Sequence, residues 1–258
     1  MAGTDGMPAA RIVTACMVVI GNEVLSGRTR DANLAWIAPR LNQIGVRLQE
    51  ARVIPDIEAI IVETVRAVRG RFDYVFTSGG IGPTHDDITA DAMAKAFEVE
   101  IDIDPRARER LEGHYAPGEL NPARLRMARI PAGAALIDNP VSKAPGFRLA
   151  NVYVMAGVPL IFQAMFESIR HELVGGIPLL SRSIGAEIAE SKLADPLRRL
   201  QESYPAVEMG SYPFFRGGRA GCSIVLRSTD PALLAVTGEA VKEMMRSQGA
   251  EPYEADAA

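Results

Sequence analysis

The sequence predicts an α/β protein built around a mostly parallel β-sheet, followed by a small α+β unit. Three observations lead to this class. Apolar segments rich in β-branched residues alternate with amphipathic helical segments between residues 12 and 175, which is typical of βαβ units. The expected strands are continuous apolar runs, and such runs indicate strands that are buried on both faces. After Gly175-Gly176 the chain changes to a βαββα pattern.

The first half of the α/β unit contains three expected strands and two expected helices. The run TACMVVIG at 14–21 predicts a central strand that ends at a glycine. Apolar residues recur at helical spacing over 34–44, which predicts a helix, and a second strand is expected at 46–53. Asp56 is expected to cap a helix with one apolar face. The run DYVFTS at 73–78 predicts the third strand.

The second half of this unit is interrupted by an arginine-rich stretch. An alanine-rich helix is expected at 89–97, directly after a glycine-rich loop. Residues 105–130 have no strand pattern, so we expect a helical excursion outside the sheet. The run VYVMA at 152–156 predicts a further buried strand, and a helix follows over 160–173.

The smaller unit is expected to begin just after Gly175-Gly176, because paired glycines followed by a proline are typical of a boundary. We therefore predict one domain at 12–175 and a second at 178–248. Residues 1–11 are expected to form a disordered tail and residues 249–258 a loose one. The second domain's expected elements, in chain order, are strand 182–188, helix 193–200, strands 206–212 and 221–227, and helix 231–244.

Composition excludes several functional classes. The chain has 28 basic and 32 acidic residues and a net charge of −4, so we expect no nucleic-acid partner. It has no apolar run long enough to span a bilayer and no secretory signal pattern, which predicts a cytoplasmic protein without membrane association. Cys16 and Cys222 form no CxxC motif, and we expect two buried thiols in a reducing compartment.

The most informative segment is the loop that follows the third strand. Gly79, Gly80 and Gly82 stand at the carboxyl end of that strand and just before a helix. Glycines there allow backbone N–H groups to approach an anion closely, and the helix start adds further donors. The loop is neither a Walker A nor a GxGxxG motif. The alternative is a glycine-rich turn without a ligand.

Acidic residues beside this loop predict a metal site. Asp86 and Asp87 are adjacent, and Glu23 follows the first strand, which ends at the same edge of a parallel sheet. Carboxylates close to a phosphate repel it, and a hard cation such as Mg²⁺ would relieve the repulsion. The alternative is that one aspartate caps the following helix while the other is solvated.

Other polar residues carry weaker signals. Thr29, Asp31 and Asn33 precede a helix, where they are either ligand contacts or capping residues. Lys143, in a loop with two prolines, could neutralise phosphate, although most such lysines are only solvated. The segment Phe214-Phe215-Arg216 is typical of an exposed hairpin tip or an interface more than of a stacking platform.

Several motifs together resemble one family. The segments GNEVLSG at 21–27, SGGIGPTHDDIT at 78–89 and GVP at 157–159 resemble the MoaB/Mog molybdopterin-binding domain. The closer resemblance is to its branch in the competence/damage-inducible protein CinA and in FAD synthase. The segments APG at 144–146 and GSYP at 210–213 also resemble this branch. It implies a three-layer α/β fold that binds a pterin or an adenine nucleotide at the sheet edge, followed by a small α+β domain.

The resemblance also implies candidate activities and residues. We expect a small-molecule nucleotide or pterin ligand and a homo-oligomer. Three functions are possible. The first is hydrolysis of a dinucleotide pyrophosphate such as ADP-ribose with Mg²⁺ or Co²⁺. The second is molybdopterin binding or adenylylation, and the third is non-catalytic ligand binding. Asp86 and Asp87 are the expected catalytic residues and, with Glu23, the expected metal ligands. The expected ligand-binding residues are Ser26, Gly27, Asn33, Thr77, Ser78, Gly79, Gly80, Gly82, Thr84, Lys143 and Gly157.

Overall fold

The structure of the protein is a computed structural model that describes residues 11–255. Within this range the chain divides into two compact units, between Ile177 and Pro178. The disordered tail expected at 1–11 lies, except for Arg11, outside the described residues. No helix in the described range is both long and apolar enough to cross a membrane.

The first unit alternates strands and helices as the sequence predicts, with an excursion after α4 that is mostly helical. In chain order its elements are β1 (Val13–Ile20), α1 (Asn22–Leu25), α2 (Asn33–Gln43), β2 (Val46–Ile54), α3 (Glu58–Arg69), β3 (Tyr74–Ser78), α4 (Thr89–Phe97), β4 (Ile101–Ile103), α5 (Pro105–Glu112), α6 (Pro122–Leu125), a 3-10 turn (Arg126–Ala128), β5 (Arg129–Pro131), β6 (Ala135–Ile137), β7 (Gly146–Leu149), β8 (Val152–Met155), α7 (Pro159–Ile169) and a second 3-10 turn (Arg170–Glu172).

The main sheet of the first unit has six strands in the order β2-β1-β3-β8-β7-β6. The first four run parallel, whereas β7 and β6 are antiparallel to their neighbours. The prediction of a mostly parallel sheet is therefore confirmed. The sequence analysis missed β6 and β7, because strands of three and four residues are too short to show a periodicity.

Helices cover both faces of this sheet. Alternate residues of β1 point to opposite faces: Val18 lies in a core cluster with α3 and α4, whereas Met17 lies in a cluster with α2 and α7. Both side chains are fully buried, which is why β1 is continuously apolar. The result is three layers, helix–sheet–helix, and this arrangement leaves the strand ends free to form a site.

The two cysteines are buried, as the sequence predicts. Cys16 lies on β1, and its burial raises the pKa of the thiol to about 11. Burial also raises the pKa of Cys222. Both groups are therefore neutral thiols at physiological pH and behave as small apolar side chains.

The second unit is a four-stranded antiparallel sheet with one core cluster, formed with its two helices. Its strand order is β10-β11-β9-β12, the arrangement of a ferredoxin-like βαββαβ unit. In chain order its elements are β9 (Leu180–Ala186), α8 (Glu190–Ser203), β10 (Glu208–Arg216), β11 (Arg219–Ser228), α9 (Pro231–Ser247) and β12 (Tyr253–Ala255).

The last strand corrects the expected βαββα pattern and the loose tail at 249–258. Over 253–255 the chain pairs with β9, while 256–258 lie outside the described residues. The carboxylate of Glu254 holds β12 in place, because it accepts hydrogen bonds from Arg182 and pairs with Lys242 at 2.8 Å. A three-residue strand within a charged segment shows no apolar run, so sequence patterning does not indicate it.

We expect Glu254→Gln to destabilise the second unit modestly at neutral pH. The hydrogen bonds from Arg182 and then Lys242 lower the pKa of Glu254 from 4.5 to about 2. A lowered pKa stabilises the fold above pH 4.5, and the stabilisation is lost as pH falls towards 2. Because the side chain is 54% exposed, the expected loss is about 0.5–1 kcal/mol. Urea unfolding at pH 7 and pH 3 measures it, and an equal loss at both pH values would contradict this account.

Candidate functional site

The carboxyl ends of β1, β3 and β8 meet at one edge of the main sheet. Val19 pairs with Ser78, and Ser78 pairs in turn with Met155. The loops that follow these strands therefore leave the sheet side by side, at the edge where open α/β sheets bind ligands. They line a cleft of about 610 Å³.

Most of the residues expected at the site line this cleft. The structure brings together the predicted glycines and carboxylates, although they come from three separate loops. The predicted residues that line the cleft are Glu23, Gly79, Gly80, Gly82, Thr84, Asp86, Asp87 and Gly157.

The glycine loop has a backbone that other residues do not readily adopt. Gly79 has a φ of +114°. An added Cβ would lie 2.1 Å from the carbonyl oxygen of Ile20. Gly80 has a φ of +69°, and its Cβ would lie 2.1 Å from Oγ1 of Thr89. Both positions require glycine, because strain and steric overlap act together there.

The backbone conformation of the glycine loop leaves three successive N–H groups without an acceptor in the described part of the chain, and we call them open donors. The N–H of Gly79 donates to the carbonyl of Met155. The next three N–H groups, those of Gly80, Ile81 and Gly82, donate to no acceptor within residues 11–255. All three residues line the cleft, and successive free N–H groups in a turn are typical of an anion site.

A second set of donors comes from the loop after β8. The N–H groups of Gly157 and Val158 find no acceptor in the described part of the chain, and α7 begins at Pro159. Gly157 packs against the glycine loop, since its Cβ would lie 3.3 Å from Cα of Gly79. The start of α7 therefore adds its dipole to the same cleft.

Three of the expected ligand-binding residues are buried instead. Thr77 is fully buried, and Asn33 and Ser78 are each 2% exposed. The amide of Asn33 donates to Oγ of Ser78 at 2.6 Å and to the carbonyl of Gly157 at 2.8 Å. Asn33 and Ser78 line a small cavity of about 50 Å³ that Glu23 and Gly157 also line, so their contact with a ligand stays a prediction. Asn33 also ties the end of β3 to the Gly157 loop and so positions the cleft.

Three further expected ligand-binding residues lie outside the cleft lining. Ser26 and Gly27 directly follow α1 and are exposed. Lys143 is also exposed and adopts a φ of +60°. In its loop, Asn139 and Ser142 line the cleft instead. The sequence shows that Lys143 is the charged residue of this loop, but it does not show which side chains of the loop face the cleft.

The aspartates of the glycine loop have different environments. Asp87 is partly buried, and its Oδ2 accepts hydrogen bonds from the N–H, at 2.8 Å, and the hydroxyl of Thr84. Asp86 is exposed, and the Thr84 hydroxyl, its own backbone N–H and the charge of His85 lower its pKa. Asp86 is therefore ionised at neutral pH. Neither aspartate caps α4, which has no side-chain cap.

A fourth carboxylate was missed as a site residue. Asp56 follows β2 and lines the cleft, where its Oδ2 accepts a hydrogen bond from the N–H of Asn22 at 2.8 Å. The expectation that Asp56 caps a helix is wrong, because α3 has Ile57 at its N-cap and no side-chain cap. The same strand-end argument that selected Glu23 would have selected Asp56.

The carboxylates do not form a preformed metal cage. No group of three or more His, Cys, Asp or Glu side chains in residues 11–255 is arranged to hold a metal ion. Glu23, Asp86 and Asp87 nevertheless line one cleft. Mg²⁺ is commonly bound by one or two carboxylates together with substrate phosphates, so these residues fit a cation that arrives with a phosphate ligand.

The excursion between β4 and β5 supplies the opposite wall. Tyr115, Arg124 and Met127 line the cleft. Arg126 lies beside a small adjoining cavity that Gly80 also lines. Its Nε is buried and has no hydrogen-bond partner in the described chain, and it makes no ion pair there. Sequence reasoning missed these residues because nothing local shows that the excursion folds back over the glycine loop.

The comparison with known families decides the classification of the first unit. Residues 16–175 match the probable molybdopterin binding domain. The chain belongs to this molybdopterin-binding family. The resemblance stated from the motifs is thereby confirmed, together with the α/β fold that it implied. Residues 178–254 match the middle domain of FAD synthase.

Relatives of the family cover different shares of this chain. A CinA-like protein of Citrifermentans bemidjiense is 39% identical over 60% of this chain and 39% of its own length. A probable FAD synthase of Caenorhabditis briggsae is 27% identical over 94% of this chain and 51% of its own length. The first unit also resembles the crystal structure of the CinA protein of Thermoplasma acidophilum, a protein described as of unknown function, with a TM-score of 0.59. The two sequences are 33% identical, and the match covers 62% of this chain and 96% of that one.

Proposed function

We propose that the first unit binds a phosphorylated nucleotide or pterin in the cleft and, with a divalent metal, hydrolyses a dinucleotide pyrophosphate such as ADP-ribose. The observation that supports this most strongly is the set of open N–H donors of Gly80, Ile81 and Gly82. A neutral ligand would not need several free donors converging on one cleft, whereas phosphate oxygens accept them well.

The charges of the cleft support the need for a cation. Four carboxylates line it, from Glu23, Asp56, Asp86 and Asp87, against one arginine, Arg124. A pyrophosphate would be repelled by these carboxylates unless a cation lay between them. When bound, a divalent metal supplies charge neutralisation and polarisation of a phosphoryl oxygen. Glu23, Asp86 and Asp87 are the residues that would hold it.

The chain's own groups then have separate tasks. The N–H groups of Gly80 to Gly82 hold one phosphate in place. Asp86 is exposed and ionised, so its carboxylate can orient the attacking water by accepting a hydrogen bond from it. The water's proton passes to solvent while the P–O–P bond breaks and the second phosphate leaves as an anion. Asp87, fixed by Thr84, keeps the loop in the conformation that presents these donors.

A second candidate function is molybdopterin binding or adenylylation, which the family match itself favours. A pterin phosphate would use the same donors and the same carboxylates. The two candidate functions differ in two observable properties: whether the purified protein contains a bound pterin, and whether it hydrolyses a pyrophosphate.

A ligand screen tests the proposal. Thermal unfolding of the full chain would be followed with ADP-ribose, FAD, ATP and molybdopterin, each with Mg²⁺, Co²⁺ or Ni²⁺. A ligand at 100 times its Kd stabilises the fold by about 2.7 kcal/mol. Release of AMP from ADP-ribose supports hydrolysis, whereas a co-purified pterin without turnover supports the second candidate. No stabilisation by any phosphorylated ligand would contradict both.

Asn33→Ala is expected to weaken ligand binding although Asn33 does not face the cleft. The change leaves the buried Ser78 hydroxyl and Gly157 carbonyl without their donor, at a cost of about 1–3 kcal/mol in stability. Asn151→Ala is a matched control, because the amide of Asn151 also bridges two carbonyls, those of Arg69 and Phe72. Calorimetry with Mg²⁺ and ADP-ribose should show weaker binding only for Asn33→Ala, and equal affinities would contradict this positioning role.

A further inference from the structure

The excursion carries a planar pair of side chains that the phosphate chemistry does not use. The guanidinium carbon of Arg124 lies 4.2 Å from the ring centre of Tyr115. Both side chains line the same cleft as the open donors of the glycine loop. An arginine over an aromatic ring forms a flat, cationic stacking surface.

Neighbouring groups fix this pair in place. The Nη1 of Arg124 donates to the carbonyl of Glu119 at 2.7 Å, and the Glu119 carboxylate lies 3.6 Å from the same nitrogen. The ring of His114 meets the ring of Tyr115 edge-on at 5.0 Å. Tyr115 is partly buried and packs on the core cluster that contains Val18 and residues of α3 and α4. The stacking surface is therefore ordered before any ligand binds, which lowers the entropic cost of binding.

Arg124 still presents free surface to the cleft. Its side chain is 37% exposed, and one face of its guanidinium is occupied by Tyr115. A third planar group can continue the stack on the other face. Met127, which also lines the cleft, adds a polarisable apolar contact that suits an aromatic ring.

We propose that Tyr115 and Arg124 bind the heteroaromatic ring of the ligand, a purine or a pterin, while the glycine loop binds its phosphates. This inference rests on the proposed function, and it assigns the recognition of the ring to the excursion. It makes Tyr115 and Arg124 determinants of specificity, since they select a phosphate ligand that carries a flat ring. They touch no phosphate and take no part in the hydrolysis step.

The test compares a ligand with a ring and one without. The affinities of ADP-ribose and of inorganic pyrophosphate, each with Mg²⁺, would be measured by calorimetry on the full chain and on Tyr115→Leu. The ligand ring stacks on the Arg124 guanidinium that Tyr115 holds flat, and a desolvated cation–π contact contributes about 1–2 kcal/mol. Tyr115→Leu should therefore weaken ADP-ribose binding about 5- to 30-fold and leave pyrophosphate binding within about twofold. Tyr115→Trp should retain ADP-ribose binding, because its ring can hold the guanidinium in the same way.

A matched control excludes a general effect on the core. Arg69 lies 4.4 Å from the ring centre of Phe97, and Phe97 packs on the same core cluster as Tyr115 without lining the cleft. Phe97→Leu should leave both affinities unchanged. Equal losses for the two ligands in Tyr115→Leu, or no loss for either, would overturn the inference. If wild-type protein binds neither ligand, the proposed function fails, and this inference fails with it.

Discussion

Asp87→Asn is expected to abolish the metal-dependent part of ligand binding while the first unit stays folded. The carboxylate of Asp87 lines the cleft beside the open donors. Loss of its charge deprives a cation of a ligand and should reduce affinity in Mg²⁺ at least about tenfold, or 1.4 kcal/mol. An asparagine oxygen can still accept the hydrogen bond from Thr84 N–H, so the loop keeps its shape. Calorimetry with ADP-ribose, with and without Mg²⁺, measures the effect.

Two further variants separate metal binding from helix capping. Asp86→Asn should have a smaller effect, because Asp86 is more exposed than Asp87. Asp230 is a true cap, since its side chain accepts hydrogen bonds from the N–H groups of Ala232 and Leu233. Asparagine is itself a good cap, so Asp230→Asn should change neither stability nor affinity appreciably. Unchanged metal-dependent affinity in Asp86→Asn, Asp87→Asn and the double variant would rule out the acidic pair as metal ligands.

Gly79→Ala is expected to have the largest effect on stability of any substitution in the glycine loop. A φ of +114° costs a residue with a Cβ about 1–3 kcal/mol. The Cβ would also lie 2.1 Å from the Ile20 carbonyl oxygen, so β1 and β3 would have to separate at the cleft. Urea unfolding should show a loss well above 3 kcal/mol, and ligand binding should be lost as well.

Gly27 provides the control for this prediction. It has a φ of +72°, and an added Cβ would meet nothing within 4 Å. Gly27→Ala therefore tests backbone strain alone and should cost only about 1–2 kcal/mol with unchanged ligand affinity. If Gly79→Ala were no more destabilising than Gly27→Ala, the close approach of the glycine loop to Ile20 would not be a constraint.

The sequence predicts the part of the site that depends on topology. Parallel strands bring their carboxyl ends to one edge, so Glu23 and the loop from Gly79 to Asp87 could be placed together from strand assignment alone. The same argument applies to Asp56. An aspartate before a helical pattern also predicts a cap by local rules, but in the structure the strand-end position decides, and Asp56 lines the cleft.

Side-chain direction and distant packing were not predictable in the same way. Asn33 stands at a helix start, where a polar residue contacts solvent, a cap position or a ligand, and only the packing against Gly157 shows that it is buried. Tyr115 and Arg124 belong to an excursion without periodicity. Their position over the cleft depends on contacts with the core of the first unit, which no sequence pattern in residues 105–130 indicates.

The pairing of β12 has a similar cause. Residues 253–255 form a strand because β9 offers a free edge and because Glu254 finds Arg182 and Lys242 beside it. Each contribution comes from another part of the second unit. The composition of this charged segment alone therefore does not predict that it forms a strand.

The backbone N–H groups themselves test the central claim most directly. We expect ¹H–¹⁵N spectra of the deuterated full chain, titrated with ADP-ribose and Mg²⁺, to show the largest amide shifts at Gly80, Ile81 and Gly82, followed by Gly157 and Val158. Free N–H groups that gain a phosphate acceptor shift strongly, since the new hydrogen bonds are charge-assisted. Saturable binding with the largest shifts elsewhere, and none at these five amides, would contradict the assignment of the cleft as the phosphate site.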